Sequence, residues 1–139
     1  MKKTFHGSCH CGAVRFEAEI DLAQPTTRCN CRFCTKARFW FAIVPTAELR
    51  VLAGGDALVD YQHAAPGKPA PFLHFQFCRA CGVRAFTQGG PLGELRDGFY
   101  AVNLGCLDDA SDAELAAAPV RYLNGRDDDW QHEAAHRFL

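Results

Sequence analysis

The chain has 139 residues, of which 48% are hydrophobic and 22% are charged. This composition is typical of a folded globular protein, and the length suits a single domain over residues 1–139 with its own hydrophobic core. Fifteen Lys and Arg residues against sixteen Asp and Glu give a net charge of −1 with neutral histidines. We therefore expect no nucleic-acid partner and no membrane partner, because no global charge favours either.

The N-terminal residues reach Cys9 without the apolar stretch of a signal peptide, and the chain lacks a run of about 20 apolar residues that could span a membrane. We therefore expect a cytoplasmic protein. In that compartment thiols stay reduced, so clustered cysteines indicate metal ligands rather than disulfides.

Short extended segments dominate the chain. Alternating apolar and polar residues over 14–21 predict the first half-buried strand. Further strands, separated by turns rich in Gly, Pro and Asp, are predicted over 39–44, 49–52, 58–62, 73–77, 83–87, 99–104 and 120–123. Residues 64–71, which are rich in Ala and Pro, predict an exposed and mobile loop.

One helix signal stands out near the C-terminus. Ser111 and Glu114 form the pattern of a capping box, the alanines after them favour helix, and Pro119 ends it. The pattern as a whole predicts a mostly-β fold of short antiparallel strands with one short helix.

Seven of the eight cysteines fall in three short motifs, and the eighth is Cys106. Two thiolates so close in sequence can reach one ion without closing a long loop, which favours chelation. The motifs are Cys9-x-Cys11, Cys29-x-Cys31-x-x-Cys34 and Cys78-x-x-Cys81.

The first and third motifs are alike, because a glycine directly follows the second cysteine of each. Glycine there permits a positive φ, which turns the backbone and points N–H groups at the sulfurs. Two such halves supply the four thiolates of a closed structural zinc site. The alternative interpretation is a set of buried apolar cysteines. The predicted ligands are Cys9, Cys11, Cys78 and Cys81.

The middle motif offers three thiolates, Cys29, Cys31 and Cys34. Three protein ligands and an open fourth position are typical of a catalytic zinc, so these cysteines are the predicted catalytic ligands. Three thiolates leave the zinc site with a net negative charge, which makes it a poor activator of water but suits it to holding a thiol as thiolate. A second structural site closed by Cys106 or by a histidine remains the alternative; otherwise Cys106 is expected in the core.

Basic residues interleave with aromatic ones around the middle motif. Such a strip could offset the charge of a zinc-thiolate site, bind an anionic substrate, or contact nucleic acid, in that order of preference. The cations are Arg28, Arg32, Lys36 and Arg38.

These motifs resemble the family of the glutathione-dependent formaldehyde-activating enzyme, which also includes centromere protein V. The matching stretches are GSCHCG at 7–12, CNCRFC at 29–34, FCRACG at 77–82 and VNLGCLD at 102–108, in the order of the family. The resemblance therefore covers most of the chain.

The resemblance implies a β-tent fold with two zinc ions per chain, a structural one on the first and third motifs and a second one on the middle motif. It implies a zinc-dependent carbon–sulfur lyase-type enzyme that joins a small thiol, glutathione or a relative, to a small aldehyde such as formaldehyde. The alternative is a non-catalytic zinc domain that binds or carries glutathione or a protein partner, because a fold alone does not determine an activity.

Overall fold

The computed structural model describes residues 1–63, 67 and 72–139. Apart from Gly67, the loop predicted over 64–71 lies outside the described residues. The strands described are β1 Lys3–Ser8, β2 Arg15–Ile20, β3 Thr26–Cys29, β4 Trp40–Pro45, β5 Leu49–Ala53, β6 Leu58–His63, β7 Leu73–Cys78, β8 Phe86–Gly89, β9 Phe99–Asn103, β10 Val120–Asn124 and β11 Asp129–Glu133. The α-helices described are α1 Arg32–Ala37 and α2 Asp112–Ala117.

The described strands form two open sheets, and the predicted mostly-β class is confirmed. The small sheet has the order β1-β2-β5, and the large sheet has the order β11-β10-β3-β4-β9-β8-β7-β6. Neighbouring strands are antiparallel except β3 and β10, which are parallel. A parallel pair requires a long crossover, and here the whole chain between Cys29 and Val120 provides it.

The large sheet has two buried faces, because successive residues of a strand point to opposite sides. On β9, Val102 packs in the main core, where the small sheet covers the large one. Its neighbour Ala101 points the other way, into a second apolar cluster with Phe41 and Cys29. Cys78 of β7 belongs to the main core. Cysteines from different motifs therefore lie on opposite faces of one sheet.

The predicted helix is confirmed as α2. The Glu114 N–H donates to Ser111 Oγ at 3.2 Å, and the Ser111 N–H donates to Glu114 Oε2 at 2.9 Å, which completes the capping box. A second helix, α1, begins inside the middle cysteine motif and was not predicted. Cys31 caps its start, and Arg38, which follows its last residue, has a φ of 54°. Its six residues are too few to show helical periodicity.

Every predicted strand is present among the described residues, with one clear shift. β8 begins at Phe86 rather than at residue 83, because the Val83 carbonyl accepts from the Cys78 N–H within a turn. β1, β3 and β11 were not predicted, since β3 is very short and β11 carries mainly polar residues. Within the described parts of the chain, none of the helices is long and apolar enough to cross a bilayer.

Candidate metal centres

The structure gathers seven cysteines into two groups whose sulfur atoms all lie within 4.8 Å of one another. The first cluster comprises Cys9, Cys11, Cys78 and Cys81. The second cluster comprises Cys29, Cys31 and Cys34. Both memberships agree with the sequence prediction, and none of the cysteines forms a disulfide within the described chain.

Two similar turns build the first cluster. In one, the Cys9 N–H donates to the Val14 carbonyl at 3.0 Å; in the other, the Cys78 N–H donates to the Val83 carbonyl, also at 3.0 Å. The glycine that follows each cysteine pair has a positive φ, 78° at Gly12 and 74° at Gly82. Because an L side chain disfavours that conformation, glycine lets each backbone fold around its own pair of sulfurs. The first turn follows β1 of the small sheet, and the second follows β7 of the large sheet. The cluster therefore connects the two sheets.

The first cluster fits a tetrahedral zinc ion. Cys9 Sγ and Cys11 Sγ lie 3.7 Å apart, as do Cys11 Sγ and Cys78 Sγ. A tetrahedron with zinc–sulfur bonds of about 2.3 Å has edges of about 3.8 Å. A backbone hydrogen bond from Cys11 lowers the pKa of Cys81 to about 6, which favours the thiolate that a metal requires.

The second cluster is built by β3 and α1. Cys29 ends β3, Cys31 caps the helix, and Cys34 lies in its first turn. The Cys31 N–H donates to Cys29 Sγ at 3.5 Å, and the Cys34 N–H donates to Cys31 Sγ at 3.3 Å. Hydrogen bonds from Cys29 and Cys34 lower the pKa of Cys31 to about 2. This backbone arrangement and donor set fit a zinc ion with three protein thiolates and one further position.

Within the described residues, the second cluster has no fourth Cys, His, Asp or Glu ligand. Cys106, the alternative candidate, is buried in the main core as expected, and its thiol lies 3.8 Å from the Arg84 carbonyl. Burial raises the pKa of Cys106 to about 11, so it stays a neutral thiol. The site closed by Cys106 is therefore not formed.

Aromatic rings line the sheet next to the second cluster. Phe33, between two of its cysteines, stacks on Phe75 with ring centroids 3.6 Å apart, and Tyr61 stacks beside both. The Arg84 guanidinium lies over the Phe33 ring at 4.7 Å. Burial lowers the pKa of Arg84, and the negative charge of Cys34 opposes that shift.

The C-terminal strands close another side of the second cluster. Asn30 Nδ2 donates to Asn124 Oδ1 at 2.8 Å, and Asn30 Oδ1 accepts from the Arg126 N–H at 2.9 Å. Gly125 lies so close that a Cβ there would be 2.7 Å from Cys29 Sγ and 2.8 Å from the Trp130 ring. The turn between β10 and β11 thus packs directly on the sulfurs.

The basic strip predicted beside the second cluster takes a different form. Its later members are exposed, and Arg28 lies over the Trp40 ring at 5.1 Å. The cations that pack beside the cluster include Arg84 and Arg126, which the sequence prediction missed. Arg84 follows the third cysteine motif, about fifty residues away from the second cluster along the chain, and no local pattern marks it. The exposed members are Arg32, Lys36 and Arg38.

A surface cavity of about 290 Å³ lies between β1 and α2. Met1, Lys3, Phe5 and Glu114 contribute to its lining. It contains no cysteine, so it belongs to neither cluster.

Together, the two sheets and the two cysteine clusters define a β protein with two thiolate groups of metal-binding geometry. The model of the family described as glutathione-dependent formaldehyde-activating enzyme matches residues 4–123. The chain belongs to this family, as its motifs predict.

One curated relative supports this assignment, and one solved structure has a similar fold. A Halomonas elongata protein, provisionally named as a glutathione-dependent formaldehyde-activating enzyme, is 33% identical over 79 residues, which cover 54% of this chain and 50% of the relative. The match thus spans about half the length of that curated relative. A crystal structure of a Rhodobacter sphaeroides protein, a structural-genomics target, is 29% identical with a TM-score of 0.65, over 83% of this chain and 98% of that one.

Proposed function

We propose that residues 1–139 act as a single zinc-binding domain that joins a small thiol to a small aldehyde at the second cluster. Glutathione and formaldehyde are the pair that the family name suggests. The observation that carries the proposal is the incomplete ligand set: three thiolates converge on one point, and no fourth protein ligand lies beside them in the described chain. The fourth position would then be available to the sulfur of a substrate.

Zinc on Cys29, Cys31 and Cys34 would supply a Lewis acid that favours the thiolate form of a fourth sulfur ligand. The chain itself orients these ligands, because backbone N–H groups donate to two of the three sulfurs. The Phe33 and Phe75 rings give the site an apolar wall on the large sheet. Such a wall keeps water away and strengthens electrostatic interactions inside.

The proposed reaction needs no oxidant or reductant. The thiol gives up its proton, its sulfur forms a bond to the aldehyde carbon, and the carbonyl π electrons move to the oxygen, which takes up one proton in place of the one that the thiol released. The product is a hemithioacetal, S-hydroxymethylglutathione for the pair named above. The reverse step breaks that carbon–sulfur bond, so the enzyme would be a carbon–sulfur lyase by type.

The first cluster would hold a separate, structural zinc ion and contribute to folding. It joins two sheets, and its two halves lie 67 residues apart at Cys11 and Cys78. Structural zinc binding is worth about 10–16 kcal/mol of apparent free energy in small zinc domains. We infer that this site stabilises the fold and takes no part in the reaction.

The test is the rate of S-hydroxymethylglutathione formation, followed by NMR with ¹³C-formaldehyde and glutathione and compared with the uncatalysed rate. Cys31→Ser should abolish the acceleration and remove one zinc ion while the circular dichroism spectrum stays native. Cys106→Ser is the matched control, because this buried cysteine lies outside both clusters. It should retain both zinc ions and the full rate.

The alternative function is a carrier that binds glutathione without reacting it. Glutathione binding by calorimetry together with an unaccelerated rate would favour the carrier and overturn the enzyme. Unfolding of the Cys31→Ser variant would make the second cluster structural, which would also count against catalysis there.

A further inference from the structure

Arg84 combines features that the reaction described above leaves unused. Its guanidinium lies over three aromatic rings, 4.7 Å from the Phe33 centroid and 5.8 Å from those of Phe75 and Phe77. Its Nη1 atom is buried and has no hydrogen-bond partner among the described residues. Cys34, a member of the second cluster, is close enough that its thiolate form would stabilise the charged guanidinium.

An arginine in this environment is suited to bind an anion. The guanidinium has five N–H donors, no acceptor and a permanent charge. When it is buried, it is ordinarily paired with a carboxylate through two parallel hydrogen bonds. Here three rings surround the guanidinium of Arg84, and no described residue gives its Nη1 donor a hydrogen-bond partner. The described ion pairs include none to this side chain.

We propose that Arg84 is the residue that selects the thiol substrate, by binding a carboxylate of the thiol while its sulfur occupies the second cluster. This inference rests on the proposed function, since it requires a thiol at that cluster. The site would therefore take carboxylate-bearing thiols and discriminate against thiols that are neutral or carry an amine in the same place. The buried Nη1 donor would gain the partner that the protein does not give it.

A second role for Arg84 would be to offset the negative charge of the metal-loaded cluster. That role predicts a different pattern, because a charge beside the sulfurs acts on every thiol and on the metal itself. Carboxylate recognition affects only the ligands that carry a carboxylate. The two roles are therefore separated by comparing thiols that differ in this one group.

The experiment measures the affinity of the zinc-loaded full chain for two probes by isothermal titration calorimetry. The probes are 3-mercaptopropionate, which has a carboxylate, and 2-mercaptoethanol, which has a hydroxyl group. Arg84→Met removes the charge and keeps an unbranched side chain, and Arg84→Lys keeps the charge but not the planar fork. Arg28→Met is the matched control, because Arg28 also lies over an aromatic ring and adjoins Cys29 in sequence.

Arg84→Met should weaken 3-mercaptopropionate binding by about tenfold to a hundredfold and change 2-mercaptoethanol binding by less than about threefold. Arg84→Lys should restore part of the loss, and Arg28→Met should change neither affinity. Because each thiol is compared with itself across the variants, the difference between the intrinsic pKa values of the two thiols does not affect the result.

Equal weakening of both thiols, or of neither, would overturn carboxylate recognition while leaving the proposed function standing. If neither thiol binds the unaltered zinc-loaded protein, the proposed function fails, and this inference fails with it. If Arg84→Met loses the second zinc ion, Arg84→Lys decides: a change in the ratio of the two affinities supports the proposal, and an unchanged ratio refutes it.

Discussion

Gly125 offers a way to disturb the second cluster without touching a cysteine. It lies in the turn between β10 and β11, and its φ is outside the left-handed region, so alanine meets no backbone strain there. The obstacle is space. A Cβ at this position would lie 2.7 Å from Cys29 Sγ, 2.8 Å from the Trp130 ring and 3.1 Å from Cys31 Cβ.

These contacts set the size of the effect. Nonbonded heavy atoms attract best at about 3.5–4.0 Å, so Cys29 Sγ would have to retreat by about 0.8 Å or more. Trp130 is 53% exposed and can swing away, whereas Cys29 is 3% exposed on a strand paired on both sides. Metal–ligand distances tolerate about 0.2 Å. Overpacking of this kind costs about 1–3 kcal/mol, so Gly125→Ala should lower the zinc affinity of the second cluster about fivefold to a hundredfold.

The assay is competition with a chromophoric chelator on the zinc-loaded chain, with the first cluster as internal reference. Gly55→Ala is the matched control, because a Cβ there meets nothing within 4 Å and its φ is likewise unstrained. The Gly125→Ala, Trp130→Ala double variant should remain as weak as Gly125→Ala. Unchanged zinc release in Gly125→Ala, or recovery in the double variant, would refute the packing of Gly125 against the sulfurs.

Three further outcomes follow from other parts of the fold. Gly82→Ala places an L side chain at a φ of 74°, at a cost of about 1–2 kcal/mol; the first cluster should then release zinc earlier in a chelator titration, and unchanged release would contradict its assigned turn. Ser111→Ala removes the helix cap and should lower the free energy of unfolding in urea by about 1 kcal/mol without loss of zinc; a loss of zinc would contradict the separation of α2 from the clusters. The hydrogen bond from Lys3 lowers the pKa of Glu114 from 4.5 to about 2, so stability from this carboxylate is present above about pH 4.5 and is lost as the pH falls towards 2. Lys3→Met should raise that pKa in an NMR titration, and an unmoved pKa would exclude the pair.

The cysteine motifs allowed both clusters to be predicted from sequence, because their ligands come in short local groups. Each pair or triplet nearly determines its own backbone turn. The joining of Cys9 and Cys11 to Cys78 and Cys81 is a long-range event, yet the matching glycines after each pair indicate it. The strands predicted from the sequence are likewise present among the described residues.

The surroundings of the second cluster could not be predicted in the same way. The residues around it come from distant parts of the chain. Because β10 lies next to β3, the turn after β10 brings Gly125 and Trp130 close to the sulfurs. Arg84 packs on the face of β7 that also faces the cluster. None of them carries a local pattern that marks its role. The helix α1 was missed for a different reason: its cap is a cysteine sulfur rather than one of the usual polar oxygens.

The most direct test of two distinct metal sites is native mass spectrometry on chain purified without chelator, followed through a mild chelator titration. Two zinc ions per chain are expected, one lost early while the fold stays intact and one retained until unfolding. The early loss should disappear in Cys31→Ser, which begins with one ion. A single zinc ion in the unaltered chain, or two that leave only on unfolding, would contradict an open, exchangeable site at Cys29, Cys31 and Cys34.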